Sequence, residues 1–175
     1  NQSWPGMDPQ QRGDIYREMN RVIANLHALD YRALGLVDFG KTGNYLGRQI
    51  ARWSRQTLAS TLPIPDAMQR LMEWLPQNLP DGDETTLVHG DYRLDNLVFH
   101  ATQPRVIGVL DWELSTLGHP LADFSYQCMS WHIPSTLWRG IADKDLDALG
   151  IPQESEYLRM YAEKTGRDAA EHWDF

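Results

Sequence analysis

In the first half of the chain, apolar residues recur every three or four positions, which is the spacing of amphipathic helices. The sequence Asp8-Pro9-Gln10-Gln11 is typical of a helix start, because Asp can cap free backbone amides and Pro fits the first turn. Three helices are predicted here, over residues 9–29, over residues 44–60, and from Asp66 to Leu75. We expect their apolar faces to enter the core, including Trp53, Met68, Met72 and Trp74.

Short apolar runs separated by polar turns replace this pattern in the middle of the chain. Residues 87–88, 97–99 and 105–110 form three such runs, and each predicts a short strand. Two more helices are predicted beyond them, from Pro120 to His132 and from about Glu154 to Lys164. The pattern as a whole predicts an α+β, mainly helical domain over residues 1–175, with polar residues concentrated around the strands.

Composition narrows the class of protein. The chain has 175 residues, of which 42% are hydrophobic, enough for one domain with a packed core. Its net charge of −8, without a cluster of Lys or Arg, argues against nucleic acid or an anionic membrane as a partner. No apolar run reaches the roughly 18 residues of a membrane span. Cys128 is the only cysteine, so we expect a buried thiol and a cytoplasmic location.

Five carboxylates lie between residues 87 and 124, beside the apolar strand residues. They are Asp91, Asp95, Asp111, Glu113 and Asp123. Close carboxylates repel one another and lose hydration when buried, so they take up protons or bind a cation. Because the section holds only two arginines and no Lys, we expect a divalent ion there. Oxygen ligands favour Mg²⁺ over Zn²⁺.

The spacing of these polar residues is more specific than their number. His89 precedes Asp91 by two positions, and Asn96 follows Asp91 by five. Asp111 ends an apolar strand. Protein-kinase-like phosphotransferases use this arrangement, in which one carboxylate accepts a hydroxyl proton while an amide oxygen and a second carboxylate hold Mg²⁺ on the phosphates. The sequence therefore predicts a phosphotransfer site.

The chain resembles the aminoglycoside phosphotransferase family, related to choline kinase, in the segments HGDYRLDNLVF (89–99) and VLDWELSTLGHPLADFSY (109–126). The segment TGNYLGRQIARWSRQ (42–56) is similar to a subgroup that also occurs as kinase-like domains fused to acyl-CoA dehydrogenases. The resemblance covers nearly the whole chain. It implies the C-terminal lobe of the protein-kinase-like fold, with short strands flanking the catalytic and metal-binding loops.

The resemblance also implies roles for individual residues. Asp91 would be the catalytic base, and Arg93 would face the transferred phosphoryl group. Asn96 and Asp111 would bind Mg²⁺ and, through it, ATP. Glu113 would contact a second metal ion or organise water.

Two further residues would support the loop that contains Asp91. His89 would brace this loop. Asp123 would reach back from its helix and accept hydrogen bonds from the loop backbone. Both are expected to position the reacting groups without touching them.

These expectations combine into an ATP- and Mg²⁺-dependent kinase that phosphorylates a hydroxyl group of a small molecule. The subgroup points to a hydroxyacyl compound or its CoA thioester, in a pocket formed by residues 44–60 and 126–145. A glycine-rich hairpin and a strand Lys are needed to hold ATP, and none of the three lysines here fits that part. We therefore expect that the chain requires an N-terminal lobe, that alone it is inactive, and that its C-terminus is trimmed. A homodimer is a further possibility.

Two alternatives compete with this interpretation. One is a kinase-like module that binds ligands without catalysis. The other is a P-loop NTPase, because residues 35–42 match the pattern GxxxxGK[ST]. A P-loop lies between a buried strand and a helix that begins at its Lys, and the residues before Gly35 read as the end of a helix. The P-loop is therefore the weaker hypothesis.

Overall fold

The computed structural model describes residues 6–168 together with Trp173 and Phe175. Six α-helices lie in this part of the chain: α1 (Pro9–His27), α2 (Tyr45–Leu58), α3 (Asp66–Trp74), α4 (Pro120–Cys128), α5 (Leu146–Leu149) and α6 (Glu154–Thr165). The strands are β1 (Thr86–Val88), β2 (Leu97–Phe99), β3 (Val106–Val109) and β4 (Thr116–Gly118). The mainly helical prediction is therefore confirmed. None of the helices described combines the length and apolar character needed to cross a bilayer.

The four strands form two antiparallel pairs. β1 pairs with β4, with Leu87 opposite Leu117, and β2 pairs with β3, with Leu97 opposite Val109. Strand β4 was not predicted, because its three residues are too few to show a pattern of alternating apolar positions. It is recognised as a strand only through its hydrogen bonds to β1. The pairs flank two loops, residues 89–96 and residues 110–115, which hold most of the predicted site.

The core lies where α1, α4 and α6 meet. Phe124 on α4 is fully buried and stacks on Tyr161 and Tyr157 of α6, with ring centroids 4.0 and 5.6 Å apart. Tyr16 of α1 meets Tyr157 edge to face. Cys128 is buried beside them, and burial raises the pKa of its thiol well above the usual value, as expected for an unreactive packing residue.

The beginning of α1 follows its sequence pattern. The Asp8 carboxylate accepts a hydrogen bond from the Gln11 amide at 2.8 Å, and the Gln11 side chain accepts one from the Asp8 amide at 3.1 Å. Such a reciprocal pair satisfies two amides that the first helical turn would otherwise leave unpaired. The start of this helix is therefore fixed by local residues.

The expectation that α2 and α3 enter the core is wrong. Neither helix contains a buried residue, and Trp53, Met68 and Trp74 are 56%, 41% and 45% exposed. Met72 is half-buried. An amphipathic pattern predicts which face of a helix is apolar, but it does not predict whether another part of the protein covers that face.

Candidate active site

The 89–96 loop holds the Asp91 carboxylate in one orientation. The Asn96 side-chain amide donates hydrogen bonds to Asp91 Oδ2 and to the Asp91 backbone carbonyl, both at 2.9 Å. Arg93 Nε lies 3.0 Å from the same Oδ2. A carboxylate held by one hydrogen-bond donor and one ion pair presents its remaining lone pairs in a defined direction.

Tyr126 on α4 also contacts Asp91. Burial raises the pKa of Tyr126, and its hydrogen bond to the Asp91 carboxylate raises that pKa further. Tyr126 was not among the predicted site residues. Its position three residues after Asp123 on a helix places both on neighbouring turns of one face, and this is the signal that could have found it.

His89 joins the two loops. It is completely buried, and its Nε2 lies 2.8 Å from the carbonyl of Leu110. The Asp91 amide donates to His89 Nδ1 at 3.2 Å. Since Nδ1 accepts, Nε2 must carry the proton and donate to Leu110. The ring therefore connects the backbone beside Asp91 with the residue that precedes Asp111.

Asp123 fixes the start of the 89–96 loop through hydrogen bonds to its backbone. Its buried carboxylate accepts the His89 amide on Oδ2 at 2.7 Å and the Gly90 amide on Oδ1 at 2.9 Å. Gly90 has a φ of +84°, and a Cβ there would lie 2.6 Å from the carbonyl oxygen of Leu114. Only glycine fits this close approach of the two loops.

Asp111 and Glu113 are exposed in the 110–115 loop, and Asp111 follows β3 with a left-handed backbone, φ 66°. The Leu110 amide donates to the Asn96 carbonyl at 2.8 Å, so the backbones beside Asn96 and Asp111 are joined directly. The predicted metal-binding pair is thus carried by two neighbouring loops.

Two of the five carboxylates between residues 87 and 124 have partners other than a cation. Asp95 pairs with Arg139, and Asp123 is occupied by backbone amides. Across residues 6–168, no three His, Cys, Asp or Glu side chains come together as a metal-binding group. Mg²⁺ on a nucleotide usually takes one or two protein oxygens and completes its shell with phosphates and water. Asn96 Oδ1 and the Asp111 carboxylate suit that smaller requirement.

A cavity of about 400 Å³ opens beside the 89–96 loop. Its lining comes from α2, the two loops and α4, and includes Tyr45, Gln49, Arg52, Trp53, Gly90, Leu114 and Tyr126. Of the two segments predicted to form an acceptor pocket, residues 44–60 contribute several side chains to this lining, whereas residues 126–145 contribute only Tyr126. A larger cavity of about 610 Å³, between α2 and Arg167, contains none of the predicted site residues.

The P-loop alternative does not have the structure that it requires. Residues 31–35 form turns, and α2 begins only at Tyr45. Gly40 has another reason to be glycine, because a Cβ there would overlap Thr116 and Leu117 of β4. The segment is a mostly exposed connection between α1 and α2.

These features are those of a kinase-like phosphotransferase: a fixed aspartate at the edge of a cavity, then a carboxamide, then an aspartate after a strand. The sequence comparison agrees. Residues 1–168 match the phosphotransferase enzyme family, and the chain belongs to that family. The resemblance to aminoglycoside phosphotransferases is thereby confirmed.

One relative and two solved structures show how far the similarity extends. Acyl-CoA dehydrogenase family member 10 of Mus musculus is 46% identical over 175 residues, which are 99% of this chain but 16% of that protein. A Ralstonia eutropha protein assigned to the aminoglycoside phosphotransferases is 58% identical with a TM-score of 0.93, covering 95% of this chain and 51% of that one. The streptomycin–ATP–APH(2")-IIa ternary complex, at 18% identity and TM-score 0.53, covers 94% and 51% and shares the fold.

Proposed function

We propose that this chain is the lobe of a small-molecule kinase that carries the catalytic loop. The complete enzyme transfers phosphate from ATP to a hydroxyl group, and Asp91 accepts the hydroxyl proton. The observation that carries this proposal is the Asp91 carboxylate, held by Asn96 and Arg93 next to a cavity that Gly90 and Tyr126 line. Tyr126 adds a third fixed neighbour. A base held in this way is oriented before the substrate arrives, which is the main requirement of phosphoryl transfer.

ATP and Mg²⁺ are the cofactors that this site suits. Asn96 Oδ1 and the Asp111 carboxylate would hold the ion, and the exposed Glu113 would contact a second one. When bound, Mg²⁺ offsets the negative charge of the phosphates. Arg93 would add positive charge on the acceptor side of the transferred group.

The nucleotide also requires a second lobe. The chain spans about half of the Ralstonia eutropha structure, 51% of that protein. We infer that the N-terminal lobe of the complete protein covers the phosphates with its glycine-rich hairpin. Isolated residues 1–175 should consequently show little or no turnover.

The charge of α2 indicates the class of acceptor. Residues 39–65 contain Lys41, Arg48, Arg52 and Arg55 and no acidic residue. This stretch is locally basic although the chain as a whole is acidic. Arg52 lines the cavity over the Trp53 ring, 5.6 Å from its centroid, and forms no ion pair with the described residues.

A cavity with an arginine and aromatic rings suits an acceptor that is both anionic and apolar, and it disfavours a polycation. We therefore propose a hydroxyacyl compound or its CoA thioester as the acceptor. The similarity to a protein named for acyl-CoA chemistry supports this choice.

Asp91→Asn tests the kinase proposal in the complete protein. Loss of the base should lower kcat about 10²–10⁴-fold, with ATP binding unchanged. Asp95→Asn is the matched control, because it removes a carboxylate from the same loop that pairs only with Arg139 at the surface, and it should keep near-normal kcat. Unchanged turnover in Asp91→Asn would refute the assignment. Binding of nucleotide and acceptor by the wild type without any product would favour the binding-module alternative.

Arg52→Gln tests the acceptor class. Loss of a charged hydrogen bond should raise KM for a hydroxyacyl substrate about 10–100-fold and leave KM for a neutral alcohol of equal chain length unchanged. Arg55→Gln is the control, since Arg55 donates to the Ala51 carbonyl of its own helix. Equal effects of Arg52→Gln on both acceptors would contradict the proposal.

A further inference from the structure

A second histidine lies behind the site and was not predicted from the sequence. His27, the last residue of α1, is 1% exposed. Its Nε2 lies 3.2 Å from Asp123 Oδ2, and its Nδ1 lies 2.7 Å from the Tyr161 hydroxyl. Asp123 in turn accepts the amides of His89 and Gly90, directly before Asp91. His27 is therefore two contacts away from the proposed base.

The contacts of His27 fix which nitrogen carries its proton. The Asp123 carboxylate can only accept, so His27 Nε2 donates to it. With the proton on Nε2, Nδ1 can accept from the Tyr161 hydroxyl, which lies 2.7 Å away. The Nε2–H tautomer of His27 thus satisfies both of its side-chain partners, Asp123 and Tyr161.

The far end of this series is also anchored. Arg167 pairs with Glu84 at 2.5 and 2.8 Å and donates to the backbone carbonyl of His27 at 3.1 Å. Glu84 lies two residues before β1, the strand that leads into the 89–96 loop. The His27 side chain is consequently fixed by Tyr161 and its backbone by Arg167, so its ring can hold the Asp123 carboxylate in one orientation.

We propose that His27 is a positioning residue for phosphoryl transfer. Its Nε2–H fixes the rotation of the Asp123 carboxylate, so that both oxygens face the amides of His89 and Gly90 and Asp91 keeps its place. Without this donor the carboxylate can turn, and a shift of about 1 Å at a reacting group reduces turnover about 10²-fold. The kinetic part of this inference rests on the proposed kinase function.

The kinetic experiment compares His27→Leu with His27→Gln in the complete protein. The Leu variant should lower kcat about 10–100-fold with KM for ATP and acceptor nearly unchanged. The Gln variant can place an N–H near the Nε2 position and should recover kcat to within about 3-fold of the wild type. His132→Leu is the matched control, because His132 is an exposed histidine that pairs with Glu154, and it should not change kcat.

Two results would overturn the proposal. A folded Leu variant with wild-type kcat shows that His27 only packs. If the Leu variant does not fold, His27→Asn replaces it: its shorter amide does not reach Asp123, so kcat equal to that of the Gln variant overturns the proposal.

A third measurement does not depend on turnover. In the histidine-labelled wild type, ¹⁵N NMR should show a proton on His27 Nε2, the nitrogen that faces Asp123. An Nδ1–H tautomer would refute the series of hydrogen bonds even if the enzyme is a kinase. Conversely, failure of the Asp91→Asn test would remove the kinase function and leave this tautomer unchanged.

Discussion

Removal of the Asp123 carboxylate should cost more stability than the loss of most single side chains. Its side chain is 1% exposed and accepts three donors, the amides of His89 and Gly90 and the ring of His27. Asp123→Ala leaves all three donors buried without an acceptor. Each such donor costs about 1–3 kcal/mol, and the lower bound for three is about 3 kcal/mol.

We therefore expect Asp123→Ala to lower the free energy of unfolding by about 3–5 kcal/mol, the range measured when one partner of a buried polar pair is removed. A domain is stable by only about 5–15 kcal/mol, so this is a large fraction. In the same variant the hydrogen bonds that connect His27 with the backbone before Asp91 should be lost, and turnover should fall because Asp91 is no longer held in place.

Urea unfolding followed by tryptophan fluorescence measures the effect, as a lower midpoint at an unchanged slope. Asp95→Ala is the control, because its carboxylate is half exposed, and a surface ion pair contributes about 0–1 kcal/mol. A loss below about 1 kcal/mol for Asp123→Ala would show that the three hydrogen bonds do not hold the loop.

Three further predictions test separate features. Gly90→Ala should destabilise by about 2 kcal/mol or more in urea, given its φ of +84° and a Cβ 2.6 Å from a backbone oxygen, whereas Gly108→Ala, with no contact closer than 3.7 Å, should lose much less. Burial would raise the pKa of Glu18, but Arg21 and a strand amide outweigh it and hold the pKa low. The stability from this carboxylate is present above its unfolded pKa and lost as pH falls through the folded one, so Glu18→Gln should be less stable than wild type at pH 7, and in urea titrations the difference should disappear once acid has protonated the carboxylate. Lys41→Ala should leave ATP affinity unchanged in calorimetry, and a tenfold loss would restore the P-loop hypothesis.

The sequence alone determined the elements whose signals are local. The start of α1 follows from Asp8 and Gln11, and the hairpin pair β2–β3 follows from two neighbouring apolar runs. β4 and the exposure of α2 and α3 could not be predicted in this way. Strand β4 forms only because β1 lies beside it and supplies its hydrogen-bond partners. Whether a residue of α2 or α3 is buried depends on whether another part of the chain packs against that helix.

The same division holds within the site. The chain order of Asp91, Asn96 and Asp111 was enough to indicate phosphoryl transfer, because Asp91 and Asn96 lie in one loop and Asp111 follows the apolar strand β3. Tertiary structure alone decided that Asp95 pairs with Arg139 and that His27, 96 positions before Asp123, donates to it. Hydrogen bonds between distant residues form only when helix packing brings donor and acceptor together, and no spacing along the chain encodes that approach.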